Sequence, residues 1–260
     1  MKQRVNIVYK NVSDAALYLD LFLPDDVAGH CPVIVWIHGG SWFEGSKENC
    51  PILFLVDHGY AVASISYRLS TEAVFPAQVL DCRDAIIHLK NHADAYGIDP
   101  DRVGVWGESA GGHLAACIGV TNDPDAEYAV HAVCDFCGPV DIYALECEWS
   151  RSGINQPTPG SVLLGVPIHE SEHLAATINP ITYIHSAPYK LPPFLIVHGD
   201  QDVNVPIAQS IMLVEALESV GTNVVSHTAE GSGHNISDPA VFQRAVDFFD
   251  SILKVKVNSR

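Results

Sequence analysis

Gly107 to Ala115 reads GESAGGHLA and directly follows the apolar run RVGVW, so one serine stands among three glycines where a strand pattern gives way to a helical one. In a GxSxG turn the serine is held in a strained backbone conformation, and its flanking positions must be small because strand and helix approach closely. Gly107 and Gly111 meet that demand. Ser109 then sits at a helix N-terminus, whose free N–H groups and dipole favour developing negative charge, and it is placed as a nucleophile. The same five letters also fit a serine that only caps a helix after a glycine turn. Partners elsewhere in the chain have to decide between the two.

A nucleophilic serine needs a base to take its proton, an acid to orient that base, and donors for a tetrahedral oxyanion. WIHGGSW follows the apolar run PVIVWI, and its glycines let a backbone loop bring the N–H groups of Gly39 and Gly40 near a substrate oxygen. Ala110, just after the serine, adds a third N–H. FLIVHGDQDVNVP offers Asp200 and Asp202 as the acid, and EGSGHN places His234 in a glycine loop before the last helical stretch. Among the 13 histidines, His58, His88, His92, His169, His173 and His185 read as surface residues. His38 reads as ordering the oxyanion loop, His113 as pointing away from the serine, and His198 as a strand-end structural residue. His227 is the rival base, but its strand context gives it less reach than a loop gives His234.

The elements that must position these residues are legible in the hydrophobic pattern. Eight short apolar and β-branched runs, VNIVY, LYLDLFLP, PVIVWIH, YAVASISY, RVGVW, VHAVCDF, PFLIVHG and NVVSHT, predict strands. They alternate with stretches of helical period, which predicts an α/β class with a mostly parallel sheet covered on both faces. FPAQVLDCRDAIIHLKNHADAYG carries Val79, Ala85, Ile86, Leu89, Ala93 and Tyr96 on one face and ends before Gly97. IAQSIMLVEALESVG and PAVFQRAVDFFDSILKV predict two more helices, with Pro206 and Pro239 near their starts. Tyr143 to Asn179 is rich in turn formers and reads as an excursion after the sixth strand, either a lid over the site or a long crossover.

With 260 residues, 48% of them hydrophobic and 17% charged, the chain is expected to form one domain over residues 1–260. A net charge of −17 disfavours nucleic acid and anionic membrane surfaces as partners. The start lacks the apolar stretch of a secretory signal, and no run approaches the roughly 18 apolar residues of a membrane span. The expectation is therefore a cytoplasmic protein. The seven cysteines read as free thiols, and Cys134 and Cys137, although at CxxC spacing, as two strand thiols, because no second ligand pair stands at matching spacing.

HGGSW, GESAGGHLA, HGDQDVNVP and GSGHN, in this order and together with SYRLS, FPAQVLDCRDAI and INPITYI, resemble the α/β-hydrolase superfamily. The order Ser, Asp, His along the chain is the order of that superfamily, unlike the chymotrypsin or subtilisin orders. Within it the chain is most similar to microbial acetyl xylan and feruloyl esterases, related to hormone-sensitive-lipase-like esterases, over about Leu17 to Phe249. The resemblance implies an α/β-hydrolase fold with an eight-stranded, mostly parallel sheet, cofactor-free hydrolysis of carboxylic esters, and Asp202 as the acid, since the family uses the second aspartate of HGxxD. Two departures stand out. Ser41 replaces a glycine common in lipase-like relatives, and the N-terminal helical cap of hormone-sensitive-lipase-like enzymes is expected to be missing.

The expected function is that of a serine carboxylesterase acting on short-chain or aromatic acyl esters, with Ser109, Asp202 and His234 as triad and Gly39, Gly40 and Ala110 as oxyanion donors. Ser41, Trp42 and Trp149 are candidates for substrate contact, the tryptophans against an aromatic acyl group or a sugar face, with a core role equally open. The expected partner is a small-molecule or oligosaccharide ester, and homo-oligomerisation stays open. A kynurenine-formamidase-like amidase and a non-catalytic binding module on the same fold are the alternatives.

Overall fold

The computed structural model describes residues 1–13, 15–25, 29–151 and 157–254. Its strands are β1 (Lys2–Val12), β2 (Ala15–Leu23), β3 (Cys31–Ile37), β4 (Ala61–Ile65), β5 (Ile98–Glu108), β6 (Ala132–Phe136), β7 (Phe194–Gly199) and β8 (Val224–Ala229). They form one eight-stranded sheet in the order β1-β2-β4-β3-β5-β6-β7-β8. Only β1 with β2 and β2 with β4 pair antiparallel; from β4 to β8 every neighbour is parallel. All eight predicted runs became strands, and the mostly parallel sheet is the one expected.

The reason lies in burial. β3, β4, β6 and β7 are buried at every residue, so their sequences carry unbroken apolar runs and not an in–out alternation. Alternate residues of β3 serve two cores: Val33, Val35 and Ile37 enter one, Ile34 and Trp36 the other. Helices α1 (Ala77–Asn91), α3 (Ala110–Val120) and α8 (Ala208–Ser219) cover the first face. The long helix α9 (Pro239–Leu253) covers the second through Val241, Val246 and Phe249. Asp238 caps α9 by accepting the Ala240 N–H at 2.8 Å, and Pro239 opens its first turn. The single helical stretch predicted across residues 77–96 is divided. His92 leaves helical geometry (φ −111°, ψ 17°), and a short α2 (Ala93–Tyr96) follows, closed by left-handed Gly97.

The excursion after β6 is helical: α4 (Ile142–Arg151), α5 (Pro159–Leu164), α6 (Glu172–Ala175) and α7 (Ile181–Ile184). Leu163, Ile168, Ala175 and Ile178 bury completely in the first core, so this segment is packed against the body of the protein. The buried Glu146 carboxylate joins α4 to α5 by accepting the Thr158 hydroxyl and the Gly160 N–H.

Two motifs without an assigned role in the sequence find one in the fold. Arg68, from SYRLS, donates its Nε and Nη2 at 2.7 and 2.8 Å to the two carboxylate oxygens of fully buried Asp81 in α1. Lys10 of β1 reaches the same carboxylate at 2.6 Å, so β1, α1 and the loop that follows β4 are tied together. All seven cysteines are free. Cys134 lies in β6 as expected, but Cys137 lies one residue past the strand in the left-handed region (φ 53°), where the chain turns away from the sheet.

Candidate active site

Ser109, Asp202, His234, Gly39, Gly40 and Ala110 lie at the C-terminal edge of the parallel strands, where α/β sheets build their sites. β5 ends at Glu108 and α3 begins at Ala110; Ser109 makes the turn with φ 56° and ψ −121°. A Cβ on Gly107 would stand 2.0 Å from the Gly111 carbonyl oxygen, and one on Gly111 2.0 Å from that of Ile37. Strand and helix can meet this closely only with glycine at both positions. The Ser109 N–H is held by Phe136 O at 2.8 Å. Its hydroxyl makes no cap bond to α3, which removes the helix-cap reading.

Instead, the Ser109 hydroxyl lies 2.8 Å from His234 Nε2, and His234 Nδ1 lies 2.7 Å from Asp202 Oδ2. A carboxylate facing Nδ1 puts the imidazole proton there and leaves Nε2 as the acceptor for the serine. The loops that carry the two partners brace each other. Gln201 N–H donates to Ser232 O at 2.9 Å and Gly231 N–H to the Asp200 carboxylate at 2.7 Å. Asp200 thus anchors the histidine loop, while Asp202 faces the imidazole. A Cβ on Gly199 would stand 2.3 Å from the carbonyl oxygens of Ser232 and Gly233, so this loop folds directly over the end of β7. His227 lies on edge strand β8 and lines a separate cavity of about 260 Å³ between α8 and β8.

Asp202 is buried, and burial alone would push its carboxyl up. Hydrogen bonds from His198, His234 and the Val205 N–H outweigh that and hold it well below the usual carboxylate range. Asp202 therefore stays ionised, a charge state that favours a protonated imidazole beside it.

The oxyanion loop is held from below. His38 Nδ1 contacts Gly39 O at 2.8 Å, its ring stacks on Tyr67 at 4.3 Å, and the Tyr67 hydroxyl donates to His38 O at 3.0 Å. His38 orders this loop as its position in the sequence implies; Tyr67 had no assigned role. Gly40 adopts φ 108°, and a Cβ there would collide with Glu44 O at 2.3 Å. Among the described residues, no acceptor takes the N–H of Gly39, Gly40 or Ala110. Gly39, Gly40, Ser109 and His234 line one open cleft of about 770 Å³.

Ser41 lines both this cleft and a small enclosed cavity of about 30 Å³ beside Ser109 and Ala110. Trp42, Ile142, Leu145 and Val205 form the apolar wall of that cavity. Trp42 is 4% exposed, so it is a core residue with one edge on the site. Trp149 stands in the last turn of α4, and its side chain lies outside the described residues. Glu44 is exposed on the rim of the cleft. Glu108 is half-buried there; burial pushes its carboxyl up and the nearby His234 opposes the shift.

Two histidines proved more consequential than their sequence context implied. His113 points away from the serine, as expected, but its Nδ1 accepts the Trp42 indole N–H at 3.1 Å and its Nε2 donates to Ile178 O at 2.6 Å. It ties the oxyanion loop and the helical excursion to the nucleophile helix. His198 contacts Asp202 from behind at 3.2 Å. Its place four residues before the acid, in HGDQD, was the available signal. Ligand atoms of Cys137, His198 and Asp202 lie within 4.8 Å of one another. Both His198 nitrogens are already bonded, to Val205 O at 2.7 Å and Ser210 Oγ at 2.6 Å, and burial pushes the Cys137 thiol up, which disfavours the thiolate a metal would need.

The described residues contain no helix long and apolar enough to cross a membrane. The chain is 30% identical over 240 residues to the esterase LipQ of Mycobacterium tuberculosis, covering 87% of this chain and 56% of LipQ. It is 27% identical to the isoprenylcysteine alpha-carbonyl methylesterase ICME of Arabidopsis thaliana, covering 91% of this chain and 58% of that protein. The chain thus spans little more than half the length of these relatives. Among solved structures, a truncated carbohydrate esterase from gut microbiota superposes with a TM-score of 0.82 at 30% identity, covering 96% of both chains. Residues 19–217, a stretch that includes Ser109 and Asp202 and ends before His234, match the BD-FAE family, and the chain belongs to that family.

Proposed function

We propose that the protein is a serine carboxylesterase that removes short acyl groups, acetyl foremost, from hydroxyl-rich alcohols of the carbohydrate class. The carrying observation is the continuous bonded line from Ser109 Oγ through His234 to Asp202. In this reading Ser109 attacks the ester carbonyl as its proton passes to His234 Nε2, and the N–H groups of Gly39, Gly40 and Ala110 receive the oxyanion. The protonated His234 then gives its proton to the departing alcohol oxygen. Water activated by the same imidazole releases the acid from the acyl-enzyme.

Pocket shape supports the short acyl group. The small cavity beside Ser109 measures about 30 Å³ and is walled by Trp42, Ile142, Leu145 and Val205, with the buried Glu146 also on its lining. An acetyl methyl fits there, whereas a feruloyl ring would have to lie in the open cleft. That cleft of about 770 Å³ on the His234 side has room for a sugar alcohol. The likeness to a carbohydrate esterase structure at 30% identity supports the same substrate class.

The test is intact-mass analysis after fluorophosphonate treatment of wild type, Ser109→Ala and His234→Ala. One adduct on wild type, absent from both variants, is expected; a folded wild type that does not label overturns the assignment. Rates on acetylated xylo-oligosaccharides against simple aryl acetates test the alcohol, and the absence of any preference for the sugar esters removes the carbohydrate part.

A further inference from the structure

The catalytic acid of the proposed triad is held by two histidines. His198, the penultimate residue of β7, is 1% exposed, and its Nε2 faces two acceptors, Val205 O at 2.7 Å and Asp202 Oδ2 at 3.2 Å. Two acceptors on one nitrogen place the ring proton there. Nδ1 is then an acceptor, and the Ser210 hydroxyl of α8 donates to it at 2.6 Å. The remaining oxygen of the acid, Oδ1, accepts the N–H groups of Asn204 and Val205, each at 2.9 Å. One carboxylate thus receives two backbone N–H groups on Oδ1 and the His234 Nδ1–H on Oδ2, while His198 Nε2, whose N–H is aimed at Val205 O, stands in close contact with that same Oδ2.

We propose that His198 is a positioning residue for the reaction: it fixes the rotation of Asp202 and keeps its Oδ2 a weak proton acceptor, so that the proton taken from Ser109 stays on His234 until the alcohol leaves. This rests on the esterase reading of the site. The bond to Val205 O adds a second effect, because Val205 lines both the open cleft and the small acyl cavity. His198 therefore sets the acid and one pocket wall together. Ser210 acts one step further back, by choosing the His198 tautomer.

The experiment compares His198→Leu, His198→Gln and His198→Asn with wild type. Readouts are kcat and KM on an aryl acetate, the rate of fluorophosphonate labelling, thermal melting, and the low-field proton resonance of His234 Nδ1–H. Glutamine carries an N–H to about where Nε2 stands; asparagine is too short and leucine has none. Loss of a hydrogen bond to a charged group predicts a fall in kcat of roughly 10- to 100-fold for leucine and asparagine, with KM little changed and the resonance moved. Glutamine is expected to restore most of the rate and the resonance. A folded leucine variant with wild-type kcat and an unmoved resonance overturns the proposal. Should the leucine variant fail to fold, equal rates and equal resonances for glutamine and asparagine overturn it instead. If wild type neither labels nor turns over esters, the esterase reading fails, and the resonance alone still shows whether His198 governs the Asp202–His234 bond.

Discussion

The Trp42 indole nitrogen stands 3.1 Å from Nδ1 of His113, and this one bond joins the loop after β3 to α3, the helix that begins just after Ser109. On the other side of the same ring, Nε2 holds Ile178 O of the helical excursion at 2.6 Å. Three segments distant in sequence are thereby fixed around Ser109 by one neutral imidazole. Neutrality is required, because a proton on Nδ1 would face the Trp42 N–H.

That requirement predicts acid lability. Burial lowers the His113 pKa from 6.5 to about 4. A base with a depressed folded-state pKa contributes stability above its unfolded value, and the contribution is lost as pH falls through the folded one. The stability that this residue contributes should therefore fall between pH 6.5 and 4, by an amount on the order of 3 kcal/mol. His113→Gln should be less stable than wild type at pH 7.5 and lose less across that interval. A stability difference between wild type and His113→Gln, from unfolding in denaturant, that stays constant over the window contradicts this account.

Asp135 predicts the opposite slope. It is fully buried in β6, its Oδ1 accepts the Gly138 N–H at 2.9 Å, and its Oδ2 has no partner among the described residues. Burial raises its pKa from 3.8 to about 6. An acid with a raised folded-state pKa favours folding in its protonated form, so its contribution is complete below 3.8 and lost as pH rises through 6. The stability of Asp135→Asn relative to wild type should thus increase from pH 4 to pH 7, by roughly 3 kcal/mol at most. A constant difference across that range would remove the argument.

The triad residues differ in what their loss should do. Ser109→Ala removes the attacking atom and should lower kcat by roughly 10⁴-fold or more with the melting temperature unchanged. Asp202→Asn keeps the shape but offers His234 the wrong tautomer, for a loss of about 10²- to 10⁴-fold. Steady-state rates on an aryl acetate, with circular dichroism as the fold check, decide both.

Acyl length should be limited by the small cavity. Each methylene beyond acetyl is expected to lower kcat/KM by about 10-fold or more, because a rigid pocket excludes an added group strongly. Leu145, 2% exposed on α4, forms part of its wall. Leu145→Ala should shift preference towards butyrate at a stability cost of about 2–5 kcal/mol. Unchanged relative rates across acetate, propionate and butyrate in this variant would show that acyl groups bind elsewhere.

Much of this was legible in the chain itself. The central strands β3, β4, β6 and β7 could be read because parallel strands buried on both faces carry continuous apolar runs. The serine turn could be read because Gly107 and Gly111 answer a steric demand that only glycine meets. Asp202 could be preferred over Asp200 only through the family resemblance, since spacing left both open; tertiary structure separates them by aiming one at His234 and the other at the Gly231 N–H. What no local pattern carried were the contacts between distant segments: His113 to Ile178, Tyr67 to His38, Glu146 to Thr158, and His198 behind the acid. Sequence periodicity records which face of an element is buried. Which polar atom meets which across that face depends on how the elements dock, and only the folded chain decides it.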